Sequence, residues 1–196
     1  LAESDLAGFD LVLSDQEEGA YLLTRRLITE GSRRILFHHF LGEQPSWLQA
    51  RRRGYQRAMD EAGLEILPDL GIPDLPGDLE PLAQARSYVG FLIEHFRDQP
   101  RPDALLAIND HFAVILSAAL RLMGIDPVAG LRLCGYDGNA AAIHPAGLDP
   151  FIPWASVDRD MYGCGRALIR VIRERLRDPK AAPQRVCIPP CLLAGR

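Results

Sequence analysis

The run Pro102-Asp-Ala-Leu-Leu-Ala-Ile-Asn109-Asp110, followed by Leu131-Arg-Leu-Cys-Gly-Tyr-Asp137-Gly138, decides how the chain folds. Residues 104–108 are apolar with no polar alternation, the pattern of a strand covered on both faces, as in a parallel sheet. The run stops at Asn109-Asp110. Asp110 is a favourable N-cap for a helix over residues 111–123, and Gly124 suits its C-terminal end. Residues 131–136 form a second apolar run that ends as abruptly at Asp137-Gly138. A strand, a helix and a strand of these lengths make a right-handed crossover. Strand C-termini in such a sheet share one edge, and ligands bind there. Asn109 and Asp137 are therefore expected side by side at a ligand edge.

The same alternation extends outward. Residues 9–13 are a strand candidate ending at Ser14-Asp15. Either residue can cap the following helix, where Glu17 and Glu18 suit the positive end and Ala20, Leu23 and Leu27 recur at helical spacing. Residues 34–38 are the next strand, and Ser46 is expected to cap a helix running to about Ala62. Residues 64–67 give a weak strand signal, and residues 68–77, rich in Pro, Gly and Asp, read as a surface loop. Asp78 is the candidate cap of the next helix, with Pro81 in its first turn. Its expected apolar stripe is Leu79, Leu82, Val89, Leu92, Ile93 and Phe96. After a loop over residues 139–153 come a strand at 154–157, a helix capped by Asp160, and one or two strands within 185–193. The fold class is α/β, a mainly parallel sheet flanked by helices.

Composition narrows the function. At 196 residues, 47% hydrophobic and 24% charged, the chain is an ordinary globular protein, and a net charge of −4 gives no reason for direct nucleic-acid binding. It has no run of 18 apolar residues and no visible signal peptide in its first residues. Cys134 falls in a buried strand, and Cys187-Ile-Pro-Pro-Cys191 lacks a second Cys or His pair at zinc spacing. Free thiols, no metal and no cofactor are expected. Gly163-Cys164-Gly165 lacks the third glycine of a dinucleotide loop, and His38, His39 and His111 accompany no Gly-x-Ser-x-Gly or HExxH motif. No catalysed reaction is expected.

Pro102-Asp-Ala-x-x-Ala-x-Asn109-Asp110-x-x-Ala113 with Gly135-Tyr-Asp137 resembles the effector-binding domain of lactose-repressor-type (LacI/GalR) transcription regulators, which share the fold of periplasmic sugar-binding proteins. Gly31-Ser-Arg-Arg-Ile35 is similar to that family's Gly-His-Arg-x-Ile, with Ser32 in place of His. Arg51-x-x-Gly54-Tyr55 matches its Arg-x-x-Gly-aromatic motif. The resemblance covers nearly all of this chain but only part of the family's architecture. It lacks the helix-turn-helix headpiece and most first-lobe strands, so the chain is expected to be N-terminally truncated. The resemblance implies that residues 32–153 form the C-terminal lobe. Residues 1–31 and 154–184 would cross toward the first lobe, and 185–196 would be closing strands.

Asp137 can accept two hydrogen bonds from vicinal hydroxyls, or it is a turn residue ahead of Gly138. Asn109 can donate and accept at once, or it forms an Asx turn. Arg51 offers a planar fork, or it is a solvated cation. Trp47 and Trp154 could stack on a sugar face, or belong to the core. Met161 stands where the family places an apolar ligand neighbour. The resemblance implies a cytoplasmic homodimer that binds a sugar or polyol effector and reaches operator DNA through a headpiece not present here. A periplasmic sugar-binding protein of a transporter is the alternative, and a small α/β enzyme is a more distant one. It also implies a dimer contact on the helix after Asp110, with Val114 and Ser117 as candidates. The helix from Asp160 to Leu176 carries Ala167, Leu168, Val171, Ile172 and Leu176 on one side, opposite an arginine-rich solvated face, and so should pack against a lobe mostly missing here.

Overall fold

Strands and helices alternate through the computed structural model, which describes Leu6 and residues 8–76, 78–97 and 99–195. The start of the expected 1–31 segment, Gly77 of the expected loop and Arg196 lie outside the described residues. The central sheet holds β2 (Ile35–Phe40), β3 (Leu70–Ile72), β4 (Ala104–Leu106) and β5 (Arg132–Cys134), all parallel, in the spatial order β3-β2-β4-β5. Trp154 N–H donates to Leu133 O, Gly135 N–H to Ala155 O and Asp137 N–H to Val157 O. These bonds lay β6 (Ala155–Asp158) beside β5. Antiparallel β8 (Cys191–Ala194) then borders β6. The chain thus enters mid-sheet at β2, goes one way to β3 and the other way through β4 to β6. The crossovers reverse between β2 and β4, the kind of switch point at which α/β proteins place ligands.

Helices cover both faces. On one face α1 (Gln16–Thr29) and α2 (Ser46–Glu61) bury Ala20, Leu23, Leu27, Tyr55 and Met59 against Ile35, Phe37, Leu106 and Val157. On the other, α3 (Pro81–Arg97) and α4 (Asp110–Leu122) bury Tyr88, Leu92, Ile115 and Leu116 against Leu36, Leu105 and Leu133. The two helices of the first face nearly touch at Gly54, where a Cβ would lie 2.0 Å from the Glu17 carbonyl oxygen. Outside that contact, Arg53 pairs with Glu17 at 2.9 Å and Arg57 with Glu18 at 2.7 Å.

A smaller part stands apart from this sheet. Here β1 (Leu11–Ser14) pairs in parallel with β7 (Arg185–Ile188), and α5 (Met161–Arg177) lies over them. Ala167 and Val171 of α5 are buried, and Arg175 grips both carboxylate oxygens of Asp10 at 2.9 Å, so one arginine of the expected solvated face is a structural anchor. Three connections join this part to the main sheet: Asp15 between β1 and α1, Arg159-Asp160 between β6 and α5, and Pro189-Pro190 between β7 and β8. Asp15 N–H donates to Ile188 O, and Cys191 lies opposite Asp158. The proline connection therefore runs between the other two.

Several expectations are corrected. Asn109, not Asp110, caps α4, accepting from Phe112 N–H at 3.0 Å, while Asp110 turns inward as the first helical residue. Pro45 rather than Ser46 holds the cap position of α2, with no side-chain cap bond. The third strand is Leu70–Ile72, inside the stretch expected as loop, and residues 64–67 are not strand. Three residues centred on Gly71 are too short for alternation to show. In α3 the buried stripe is Ala85, Tyr88, Leu92 and Phe96, with Ile93 exposed. Val114 and Ser117 are fully buried, because α4 is wrapped by the sheet on one side and α3 on another, so neither is available as an outward contact. Apart from these corrections, Leu168, Ile172 and Leu176 on the expected apolar side of α5 are exposed within these residues, which does not conflict with the expectation of a partner outside them.

Candidate functional site

The parallel strands deliver their C-terminal ends to one edge, and three connections there carry the polar groups. Asp110 N–H donates to Tyr136 O, which sets residues 109–110 beside 136–137. Asn109 uses its side-chain oxygen as the helix cap and so adopts the Asx-type geometry, and its amide N–H groups take no part in that cap. Asp137 sits at φ 97°, a left-handed conformation that side-chain-bearing residues rarely adopt. Such strain is found where a side chain is held for a purpose.

Arg51 projects from the second turn of α2 into this edge and is 5% exposed. Its Nε donates to Gln16 Oε1 at 2.9 Å and its Nη1 to the Ile108 carbonyl. Its Nη2 lies 3.6 Å from Asp137 Oδ1. The guanidinium is also stacked over the Tyr136 ring, 3.4 Å from the centroid, and faces the Trp47 ring at 4.7 Å. Burial pulls its pKa down to about 10, with Tyr136 and Asp137 opposing the shift, so it stays charged at neutral pH. Tyr136 is pushed up to about 12 by burial and remains a neutral phenol. The solvated-cation alternative for Arg51 is thereby excluded.

Beneath the edge, Asp110 is fully buried and accepts from Ser156 Oγ at 2.7 Å and from the Asn139 and Ala140 amides at 2.7 and 3.0 Å. Burial raises its pKa, and these three donors oppose the rise. The carboxylate staples the loop after Asp137 to the start of α4. Gly135 makes room for it: a Cβ there would stand 1.9 Å from Asp110 Oδ1.

The structure thus brings Arg51, Asn109, Asp137 and Trp47 together. Met161 is 58% exposed on the first turn of α5, and no hydrogen bond, ion pair or ring contact among the described residues ties it to the others. Trp154 instead receives Arg26 and Arg132 over its ring, at 5.1 and 5.6 Å. Arg159, missed in the sequence, reaches Asp137 with Nε 3.0 Å from Oδ1. A signal for it existed: like Asn109 and Asp137, it stands just past the end of a parallel strand. A cleft of about 1130 Å³ opens alongside, between α2 and the β1–β7 pair. Its wall includes Trp47 and Gln16, the two residues that hold Arg51 from that side, but not Asn109, Asp137 or Arg159. Among the described residues, no group of three or more His, Cys, Asp or Glu side chains could hold a metal ion. The four cysteines are free, with Cys134 buried. No helix of the described residues is long and apolar enough to cross a membrane.

A family model described as a periplasmic binding protein-like domain matches residues 24–196. The HTH-type transcriptional repressor PurR of Aliivibrio fischeri is 25% identical over 169 residues, covering 86% of this chain and 47% of that protein. The chain thus spans about half the length of the curated relatives it matches. The transcriptional regulator CelR in complex with cellobiose superposes with a TM-score of 0.74 at 24% identity, covering 96% of this chain and 54% of that one. A LacI-family regulator from Enterococcus faecium with bound ribose gives 0.72 at 18% identity, covering 95% and 64%. The last two likenesses establish the fold.

Proposed function

Because this chain belongs to the periplasmic binding protein-like domain family, we propose that it is the effector-sensing part of a LacI-type transcriptional regulator. The observation that carries this reading is the convergence of Arg51, Asn109 and Asp137 at the switch-point edge of a parallel sheet. A carboxylate, an amide and a buried guanidinium offer acceptors and donors in the mixture that hydroxyl groups require, with Trp47 as an apolar rim. The proposed ligand is a small polar molecule of the sugar or polyol class. The relatives named PurR and the sugar complexes of CelR and the Enterococcus regulator support this class of function.

The rest of the proposed cycle belongs to the intact protein. It acts in the cytoplasm as a homodimer. Effector binding shifts its equilibrium between two arrangements that differ in affinity for operator DNA, contacted through a separate headpiece. The smaller part formed by β1, α5 and β7 belongs to a first lobe, and the main sheet with its four helices is the second. In the full-length protein, Asp137→Ala should weaken effector binding by about 2–4 kcal/mol, because it strips a charged partner from desolvated ligand donors. Titration calorimetry reads this directly. Unchanged affinity in that variant would remove Asp137 from the site.

A further inference from the structure

We infer that the ligand of this site carries an oxyanion, a carboxylate or a phosphate on a sugar-like frame, and that Arg159 selects for it. The inference rests on the effector-sensing reading and narrows its ligand class. Two guanidinium groups share one carboxylate here: Asp137 Oδ1 lies 3.6 Å from Arg51 Nη2 and 3.0 Å from Arg159 Nε. Neither approach is aligned as a hydrogen bond, since Asp137 Oδ1 and Arg159 Nε are both buried and lack a hydrogen-bond partner.

The two arginines differ in how far they are committed. Arg51 is held by Gln16, by the Ile108 carbonyl and by two aromatic faces. Among the described residues, Arg159 has only Asp137, and its side chain is 32% exposed against 6% for Arg51. The neighbouring acids are engaged elsewhere. Asp110 accepts three hydrogen bonds from Ser156, Asn139 and Ala140. Asp158 accepts from Asp160 N–H, and Asp15 from Glu18 N–H. Among the described residues, Asp137 is the one carboxylate within ion-pair distance of either arginine.

A neutral polyol needs only the acceptor of Asp137 and the donors of Asn109. Its binding would exclude water from the site while leaving one guanidinium without a counter-charge, which is costly in a desolvated crevice. An oxyanion supplies that charge, and a planar guanidinium can grip two of its oxygens at once. Arg159 is the available fork because its Nη groups are uncommitted and it faces solvent.

The test is calorimetry on the full-length protein with matched pairs: ribose against ribose 5-phosphate, and galactose against galacturonate. The charged member of at least one pair should bind roughly ten- to a hundredfold more tightly, the range of a charge-assisted hydrogen bond. Which pair shows the gap distinguishes phosphate from carboxylate. Arg159→Gln should abolish the gap, read as the ratio of the two affinities within each matched pair, and Arg159→Lys should retain part of it. Neutral sugars that bind as well as their charged partners, or a gap that survives in Arg159→Gln, would overturn the inference and leave sugar sensing intact. Failure of all four compounds to bind at millimolar concentration would overturn both.

Discussion

His38 of β2 has no exposed surface and sits among the rings of Phe40, Tyr88 and Phe112, at 5.7–6.3 Å. Burial, with a smaller push from His39, lowers its pKa from 6.5 to about 3. The unfolded chain therefore takes up a proton that the folded chain refuses. The contribution of His38 is intact above pH 6.5 and is lost progressively as the pH falls toward 3, at up to about 1.4 kcal/mol per unit. Denaturant titrations at pH 7 and pH 5 should show this loss, and His38→Leu should flatten it. At this scale the sequence was legible wherever a polar residue ended an apolar strand, as Asn109 and Asp137 do. It placed Arg159 past a strand end as well, but its role depends on Asp137 turning to meet it, which no sequence pattern shows. It also misassigned Asp110, because a buried carboxylate and a helix cap look alike until their donors are known.

The contact between α1 and α2 has no room to give at Gly54. A Cβ there would overlap backbone atoms of α1, including Tyr21 N at 2.9 Å, and backbone cannot rotate away as a side chain can. Gly54→Ala should destabilise the fold by about 1–3 kcal/mol, the usual cost of overpacking, despite alanine's better helix propensity. A lowered melting temperature checks this, and an unchanged or raised one would show that the helices can part. Long periodic elements were readable in advance: α1, α4 and α5 fall close to their expected bounds. The failures were short or crowded elements. Three-residue β3 carries no period, and α4 is buried on so many sides that no outward face could be picked from its pattern.

At the level of the molecule, α5 shows how much is satisfied within these residues. Ala167 and Val171 face β1 and β7, but Leu168, Ile169, Ile172 and Leu176 remain 47–75% exposed. Bare apolar surface of this kind promotes association. Residues 1–196 expressed alone should self-associate, and hydrogen exchange should protect α5 less than β4. A monomer in which α5 is as protected as β4 would show that the helix needs no further partner. The full-length protein should sediment as a dimer at micromolar concentration, and a monomer there would count against the regulator reading. The three connections between the two parts set how they can move. The middle one is Pro189-Pro190, and proline has no N–H, so the outer connections find no amide donor there. A tilt of one part against the other would thus meet no donor from the prolines, although Asp15 N–H still donates to Ile188 O beside them. Because Arg159 sits on an outer connection and Asp137 on the main sheet, such a tilt would stretch or shorten their ion pair. The geometry makes that pair a strain gauge, whose length registers the angle between the two parts.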